Sequence, residues 1–121
     1  MDDFRRSGVI EESYELNQPL WESTIGANRG ELDERYSFVS ADKPNAVITA
    51  VKKAEQGDGL IVRFYDAYDC KSDVTISVPA SYGKAYLCDL VENELQEIGI
   101  KDGKVTVPVS NFEIVTLKFV L

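Results

Sequence analysis

Val74-Thr75-Ile76-Ser77-Val78 alternates apolar and polar side chains over five consecutive residues. Successive side chains of a β-strand point to opposite faces, so this alternation is typical of a strand with one buried and one solvated face. The pattern recurs where Val105, Val107 and Val109 are separated by a threonine and a proline. That proline, Pro108, has no N–H to donate, which predicts that this end of the strand lies at a sheet edge or stops pairing.

Outward from these strands lie two apolar runs, residues 47–54 and 60–65, joined by a turn that contains two glycines. Nearly continuous apolar runs are typical of central strands buried on both faces, and the glycines are free to adopt positive φ. A second hairpin is predicted between residues 95–100 and 105–109. Asp102-Gly103, which lies between these two runs, is a strong hairpin signal.

The chain closes with residues 112–121, which predict one more long strand. Six to eight strands at spacings of about 8–12 residues, joined by Gly, Asp and Asn turns, predict an all-β antiparallel β-sandwich, immunoglobulin-like or jelly-roll-like. At 121 residues the chain is long enough for one domain with a core of its own. We assign that sandwich to residues 37–121.

Residues 1–36 have a different character. They carry nine acidic and four basic side chains, a net charge of −5 within a chain whose net charge is −8. Their apolar periodicity is poor, and Pro19 is incompatible with a helix interior. We interpret this segment as an acidic, extended N-terminal arm or connector, with room for one strand or short helix. Leu16, Leu20 and Trp21 lie outside the sandwich pattern, and we expect them to dock on a body beyond this chain or on a second copy.

The composition excludes several kinds of site. With no histidine, the chain has no base for a Ser-His-Asp or Cys-His arrangement and no ligand for a His-bound zinc, and two cysteines cannot make a four-cysteine site. The acidic balance argues against nucleic acid and against an anionic membrane as partners. No apolar run approaches the roughly 20 residues of a membrane span, and no signal peptide is apparent. Cys70 and Cys88 are expected to be free thiols, which points to a reducing, cytoplasmic location.

Carboxylate pairs are the first candidates for chemistry, since two positioned acids suffice for a glycosidase. Asp66 and Asp69 form one pair, and Glu92 and Glu94 another. In a chain with 21 acidic residues such pairs arise from composition alone, so a solvated or turn-capping role is the default. Oxygen ligands from Asp66, Asp69 and Asp73 leave calcium binding as an alternative.

Two charged residues interrupt apolar strands. Arg63 lies within the run 60–65 and Glu113 lies between two apolar neighbours in the last strand. A charge in such a place must be paired or must face out of the sheet. We expect Arg63 to pair with a nearby carboxylate, with a contact to a partner as the alternative, and Glu113 to pair with a lysine or arginine.

Tyrosines are the other possible binding signal. Tyr65, Tyr68 and Tyr82 would form a sugar-stacking platform if they shared one face of the sandwich. Packing in the core or at an edge, with the hydroxyl in water, is the alternative.

Four short stretches, in order along the chain, together resemble glycoside hydrolase family 38 α-mannosidases. They are Tyr14-Glu15-Leu16-Asn17-Gln18-Pro19-Leu20, residues 47–66, Asp89-Leu90-Val91-Glu92, and Phe112-Glu113-Ile114-Val115-Thr116-Leu117. Two positions depart from the family pattern: Asp66 stands where the family usually has Glu, and Asn111 where it often has Pro. The motif positions to which the resemblance gives a structural role are Asn17, Pro19, Arg63, Tyr65, Asp66, Asp89, Glu92 and Glu113.

The resemblance implies that this is the non-catalytic C-terminal β domain of a larger enzyme, which hydrolyses terminal α-mannosyl linkages with retention. The family's divalent metal, usually zinc, and its catalytic carboxylates belong to an N-terminal α/β domain, so neither catalytic residues nor a cofactor is expected here. The implied partners are the catalytic and other β domains of the same polypeptide and, for the whole enzyme, an α-mannoside glycan. Two rival interpretations remain: a carbohydrate-binding β-sandwich module and an unrelated immunoglobulin-like adhesion domain.

Overall fold

The computed structural model describes residues 3–27 and 29–121, apart from the side chain of residue 6. The chain forms two compact units, residues 1–36 and residues 37–121.

The first unit begins with a 3-10 turn, Phe4–Arg6, followed by one helix, α1, Val9–Asn17. Glu11 and Glu12 lie in the first helical turn, where the helix dipole favours negative charge. The helix ends where Asn17 donates its side-chain amide to the Ser13 carbonyl, two residues before Pro19. The arm is therefore partly helical, and the helix ends where proline requires. Among the described residues, no helix has the length and apolar character that a bilayer crossing needs.

The second unit consists of two antiparallel sheets, which confirms the predicted all-β sandwich. The smaller sheet has the strand order β1-β4-β7 and the larger has the order β2-β3-β8-β5-β6. The strands are β1 Ser40–Ala41, β2 Ala46–Lys53, β3 Leu60–Asp66, β4 Ser72–Ser77, β5 Lys84–Cys88, β6 Glu94–Ile98, β7 Lys104–Val109 and β8 Ile114–Val120.

The core lies between the sheets and follows the alternation seen in the sequence. In β7, Val105, Val107 and Val109 are buried while the residues between them are exposed. From the larger sheet the most deeply buried side chains include Phe64 and Phe119. Strand β7 lies at the edge of the smaller sheet, beside β4, so Pro108 lies on an edge strand, as predicted.

The prediction that residues 47–54 form a central strand is wrong. Strand β3 is central, between β2 and β8, but β2 is an edge strand. Its register with β3 shifts between Ile48 and Ala50, and Val51 is exposed. An edge strand that is partly buried on each face shows nearly the same apolar run as a central one, so composition does not separate the two.

The predicted hairpin across Asp102-Gly103 is also wrong, although its turn is present. Asp102 and Gly103 adopt φ of 51° and 70°, and the backbones of Lys101 and Lys104 exchange two hydrogen bonds. Strand β6, however, pairs with β5, whereas β7 pairs with β4. The turn therefore lies where the chain passes from the larger sheet, which contains β6, to the smaller sheet, which contains β7.

Candidate functional site

The most buried polar group of the sandwich is the carboxylate of Asp66, at the end of β3. Its Oδ1 accepts a hydrogen bond from Asn45 Nδ2 at 2.8 Å and one from the backbone N–H of Tyr68 at 3.3 Å. Its Oδ2 accepts from the backbone N–H groups of Cys70 and Phe112, both at 3.0 Å. One side chain thus joins the start of β2, the β3–β4 connection and the turn before β8.

These hydrogen bonds control the protonation of Asp66. Burial alone would raise the pKa of this carboxyl group, but the donors from Asn45 and from the backbone outweigh it and lower the pKa to about 2. Asp66 is therefore ionised at neutral pH and serves as an acceptor, which does not suit it to act as a general acid.

A second cluster lies on the outer face of the larger sheet, the face turned away from the core. It is organised by the loop of residues 89–93, which connects β5 and β6 and is called the β5–β6 loop below. Asp89 Oδ1 accepts from the backbone N–H groups of Val91 and Asn93, both at 2.9 Å, and Oδ2 accepts from Asn93 Nδ2 at 2.8 Å. The Asn93 bonds, followed by the Val91 bond, lower the pKa of Asp89. Asp89 therefore fixes the shape of the loop.

Glu92 ties this loop to strand β2 and the turn that follows it. Its Oε1 lies 2.8 Å from Lys52 Nζ, and its Oε2 accepts from the Glu55 backbone N–H at 2.8 Å. Lys52 also pairs with the Glu55 carboxylate. The pKa of Glu92 is lowered, first by the Glu55 bond and then by Lys52, whereas the pKa of Lys52 is raised by both carboxylates. Glu92 is ionised although only 9% of its side chain is exposed.

Arg63 ties the same loop to the middle of the sheet. Its Nη2 donates to the Leu90 carbonyl at 2.7 Å and its Nε donates to Thr116 Oγ1 at 3.0 Å. The expectation that Arg63 pairs with a carboxylate is wrong for the part of the chain that the structure describes. Its charge nonetheless contributes to the lowered pKa of Glu92. The guanidinium is a suitable donor here because it offers several N–H groups in a rigid plane.

A cavity of about 360 Å³ lies beside the β5–β6 loop. It is lined by Ala54, Glu55, Gln56, Val91, Glu92, Asn93, Glu94 and Lys118. Lys118 Nζ lies 2.7 Å from Glu94 Oε1, and this bond raises the pKa of Lys118. A glycosidase acid needs a raised carboxyl pKa, whereas the shift at Glu92 is downward. The cavity therefore shows paired charges in place of an acid and base pair.

The eight motif positions fall into three places. Arg63, Asp89 and Glu92 meet around the β5–β6 loop. Asp66 and Glu113 meet at the other end of the sheet, where the Asp66 N–H donates to the Glu113 carbonyl at 3.1 Å.

Tyr65 lies at the same end of the sheet as Glu113, and the last two motif positions, Asn17 and Pro19, belong to the first unit. Glu113 Oε2 accepts from the Ser110 N–H at 2.7 Å. The prediction that Glu113 pairs with a lysine or arginine is wrong within the described residues, because its carboxylate accepts from Ser110 and closes the turn before β8. Tyr65 is half-buried and pairs with Ile114 across the sheet. Asn17 is the last residue of α1 in the first unit, and Pro19 follows it two residues later.

The tyrosines do not form one platform. Tyr82 packs edge-on against Phe119, with ring centroids 6.2 Å apart. Together with Leu60, at the start of β3, it lines a second cavity. Tyr65 lies near the opposite end of that strand. Among the residues that the structure describes, no group of three or more His, Cys, Asp or Glu side chains is placed to hold a metal ion, and Asp66 is saturated by N–H donors. Cys70 and Cys88 are not joined in a disulfide, as predicted, and the Cys70 thiol lies 3.6 Å from Asp66 Oδ1.

Several residues of these clusters were not expected from the sequence. Asn45 gave no signal, because an isolated asparagine after a proline indicates only a turn. Lys52 and Lys118 were visible as charges in strands, the pattern that did single out Arg63. Applying the same rule to them would have found both ion pairs.

The sequence of the chain matches one known family over residues 45–117, glycosyl hydrolases family 38 C-terminal beta sandwich domain. The chain belongs to that family. Similarity extends over nearly the whole chain to Alpha-mannosidase 2C1 of Homo sapiens and of Mus musculus, each 29% identical over 98% of the chain. Alpha-mannosidase G of Dictyostelium discoideum is 25% identical over 94% of it. The chain spans 12% of each mammalian relative and 11% of the Dictyostelium protein.

Membership agrees with the fold and with the placement of the motif residues. The match runs from residue 45 into β8 and includes Arg63, Asp66, Asp89 and Glu92. The resemblance inferred from four short stretches is therefore confirmed.

Proposed function

We propose that this chain is the non-catalytic C-terminal β domain of an α-mannosidase and that it supports the catalytic domain of the same polypeptide. The observation that carries the proposal is the end-to-end similarity to α-mannosidases that are roughly eight times longer than the chain. Under this proposal the whole enzyme hydrolyses terminal α-D-mannosyl linkages with retention, and its catalytic groups lie outside these 121 residues.

The chemistry of the side chains supports that division of labour. A zinc ion or another divalent metal in the parent enzyme needs a set of His and Asp ligands, and this chain does not fit it. The sequence has no histidine, and the described residues contain no candidate ligand cluster. The downward pKa shifts of Asp66, Asp89 and Glu92 suit carboxylates that hold loops.

Within this proposal each part of the chain has a task. Residues 37–121 form the β domain, and residues 1–36 form the connector from the preceding domains. Arg63, Asp89 and Glu92 fix the β5–β6 loop, whereas Asp66 and Glu113 close the other end of the sheet. The lack of a disulfide between Cys70 and Cys88 supports a cytoplasmic location.

The test compares three proteins with a chromogenic aryl α-mannoside: the full-length polypeptide, the polypeptide without this chain, and the chain alone. We expect turnover by the full-length protein, none by the chain alone with or without added Zn²⁺, and a lower melting temperature for the truncated protein. Because truncation can abolish folding, the Asp66→Asn variant of the full-length protein provides a second measurement. We expect it to have a lower Tm and an unchanged KM. Chelator-sensitive turnover by the chain alone would contradict the proposal.

The rival binding role is tested on the chain itself. Titration with methyl α-mannoside, followed by NMR, is expected to leave the resonances of Tyr65, Tyr68 and Tyr82 unshifted. Saturable shifts on these residues would favour a carbohydrate-binding module.

A further inference from the structure

The first unit exposes an unusual amount of apolar surface. Leu16 is 83% exposed, Leu20 101%, Trp21 99% and Ile25 72%. These four residues are called the exposed apolar segment below. A tryptophan is highly buried on average in folded proteins, and four strongly exposed apolar side chains within ten residues favour an interaction surface.

Neither unit uses this segment in its own core. Helix α1 contains no buried residue. The core cluster of the second unit, including the side chains packed against it, is drawn only from residues 39–119. The family match begins at residue 45, so the exposed apolar segment lies outside the β-sandwich that defines the family. The similarity to the longer α-mannosidases nevertheless covers 98% of the chain and therefore reaches into this unit.

Helix α1 contains Leu16, the first residue of the segment, and carries both apolar and acidic side chains. At 3.6 residues per turn, Val9 and Leu16 lie two turns apart on one face, and Glu12 lies between them, three residues after Val9 and four before Leu16. Glu11 and Glu15 are four residues apart and lie together on the other side. A surface that receives Leu16 and the exposed apolar side chains after it must be apolar, and basic side chains at its rim would complement the three helix carboxylates.

We propose that the exposed apolar segment docks into an apolar groove with a basic rim on another domain of the same polypeptide. This inference rests on the proposed function in one respect, namely that the chain is part of a longer protein. The lengths of the relatives supply the occupant: 88% of each mammalian relative lies outside the region that this chain matches. A second copy of the chain is the competing occupant, and the experiment separates the two.

The test begins with the 121-residue chain, in which Trp21 is the only tryptophan. In the free chain we expect emission typical of a water-exposed indole, ready quenching by acrylamide, and a monomer by sedimentation equilibrium. Blue-shifted emission from a monomer would overturn the proposal, because the segment would then be buried within the chain itself. A concentration-dependent blue shift accompanied by dimer formation would overturn it in favour of a second copy.

The second step uses the full-length polypeptide and hydrogen exchange. Amides of residues 9–25 are expected to be unprotected in the free chain and protected at least tenfold in the full-length protein. Trp21→Ala and the pair Glu11→Lys with Glu15→Lys are expected to remove most of that protection. Leu95→Ala, which truncates a residue 64% exposed on β6, is the matched control and is expected to leave it unchanged. Equal exchange in the free chain and the full-length protein would refute the docking.

The two proposals fail in different ways. Protection of residues 9–25 in a full-length protein without α-mannosidase activity would leave the docking in place and refute the proposed function. Activity without protection would do the reverse.

Discussion

Asn45 donates its side-chain amide to Asp66 at 2.8 Å, and both residues are buried although 21 positions separate them in the sequence. This contact joins the residue before β2 to the end of β3 and thereby closes the sheet at one end. The same carboxylate also receives three backbone N–H groups. A buried charge is costly without partners, and here the Asn45 amide, the three N–H groups and the Cys70 thiol offset that cost.

Replacing Asp66 by Asn is expected to destabilise the sandwich by about 2–4 kcal/mol. Oδ1 accepts from Asn45, from the Tyr68 N–H and from the Cys70 thiol, and Oδ2 accepts from two backbone N–H groups. At least two donors therefore lose their acceptor whichever way the new amide turns. The free energy of unfolding from urea denaturation measures the loss. Asp73→Asn, an exposed residue on β4, is the matched control and should change it by less than about 0.5 kcal/mol. Equal effects of the two substitutions would contradict the assigned role.

The stability should also depend on pH through Asp66. Its pKa in the folded protein, about 2, lies below the ordinary value of 3.8. A depressed pKa contributes stability that is present above about pH 4 and is lost as pH falls through 2, here about 2 kcal/mol. The difference in unfolding free energy between wild type and Asp66→Asn should shrink by that amount between pH 4 and 2. NMR titration of the carboxyl carbon gives the pKa directly, and a value near 4 would refute this account.

The sequence indicated which segments are strands far better than which strands are neighbours. Val105, Val107 and Val109 are buried as their alternation predicts, because period-two burial is a local property of a strand. The pairing of β6 with β5 and of β7 with β4 is not local. The Asp102-Gly103 turn fixes only its own four residues, and a similar turn serves a hairpin or a crossing between sheets.

In the candidate site, too, the sequence indicated which residues matter better than it indicated their partners. Arg63 was singled out because a charge within an apolar strand needs a partner, and Asp66 because it forms a carboxylate pair with Asp69 in the sequence. Their partners, a carbonyl at Leu90, a hydroxyl at Thr116 and an amide at Asn45, are neutral groups brought close by the fold. A rule based on opposite charges does not find neutral acceptors and donors, so the expected ion pair of Arg63 was wrong.

Arg63→Lys is expected to loosen the β5–β6 loop, because a lysine cannot reach both the Leu90 carbonyl and the Thr116 hydroxyl in the geometry of a guanidinium. The loss should be about 1–2 kcal/mol. Cys88 reports on it: this buried thiol pairs across the sheet with Thr116, which in turn pairs with Arg63, so all three share one face.

Burial raises the pKa of the Cys88 thiol, so it should react slowly with an aromatic disulfide reagent in wild-type protein. In a Cys70→Ser background, Arg63→Lys should speed that reaction about tenfold, the factor that corresponds to 1.4 kcal/mol of easier local opening. Arg35→Lys, in the first unit, is the control for the loss of a guanidinium elsewhere in the chain and should leave the rate unchanged. An unchanged rate in Arg63→Lys would show that the loop does not protect the thiol.

Gly103 and Gly57 provide a matched pair of substitutions that separates two costs. Both glycines have positive φ, 70° and 76°. A Cβ at Gly103 would overlap the Val78 carbonyl oxygen, whereas a Cβ at Gly57 meets nothing within 4 Å. Gly57→Ala should therefore cost only the backbone strain, about 1 kcal/mol.

Gly103→Ala should cost about 3 kcal/mol or more, because the overlapping atom is backbone and cannot rotate away. The Val78 N–H also donates to the Gly103 carbonyl at 2.8 Å, so any shift that relieves the overlap strains this bond between the β7 turn and the end of β4. Urea denaturation of both variants measures the difference, with equal slopes as the check that the unfolding transition is unchanged. Equal losses at the two glycines would mean that the crossing between the sheets is less tightly packed than this close approach implies.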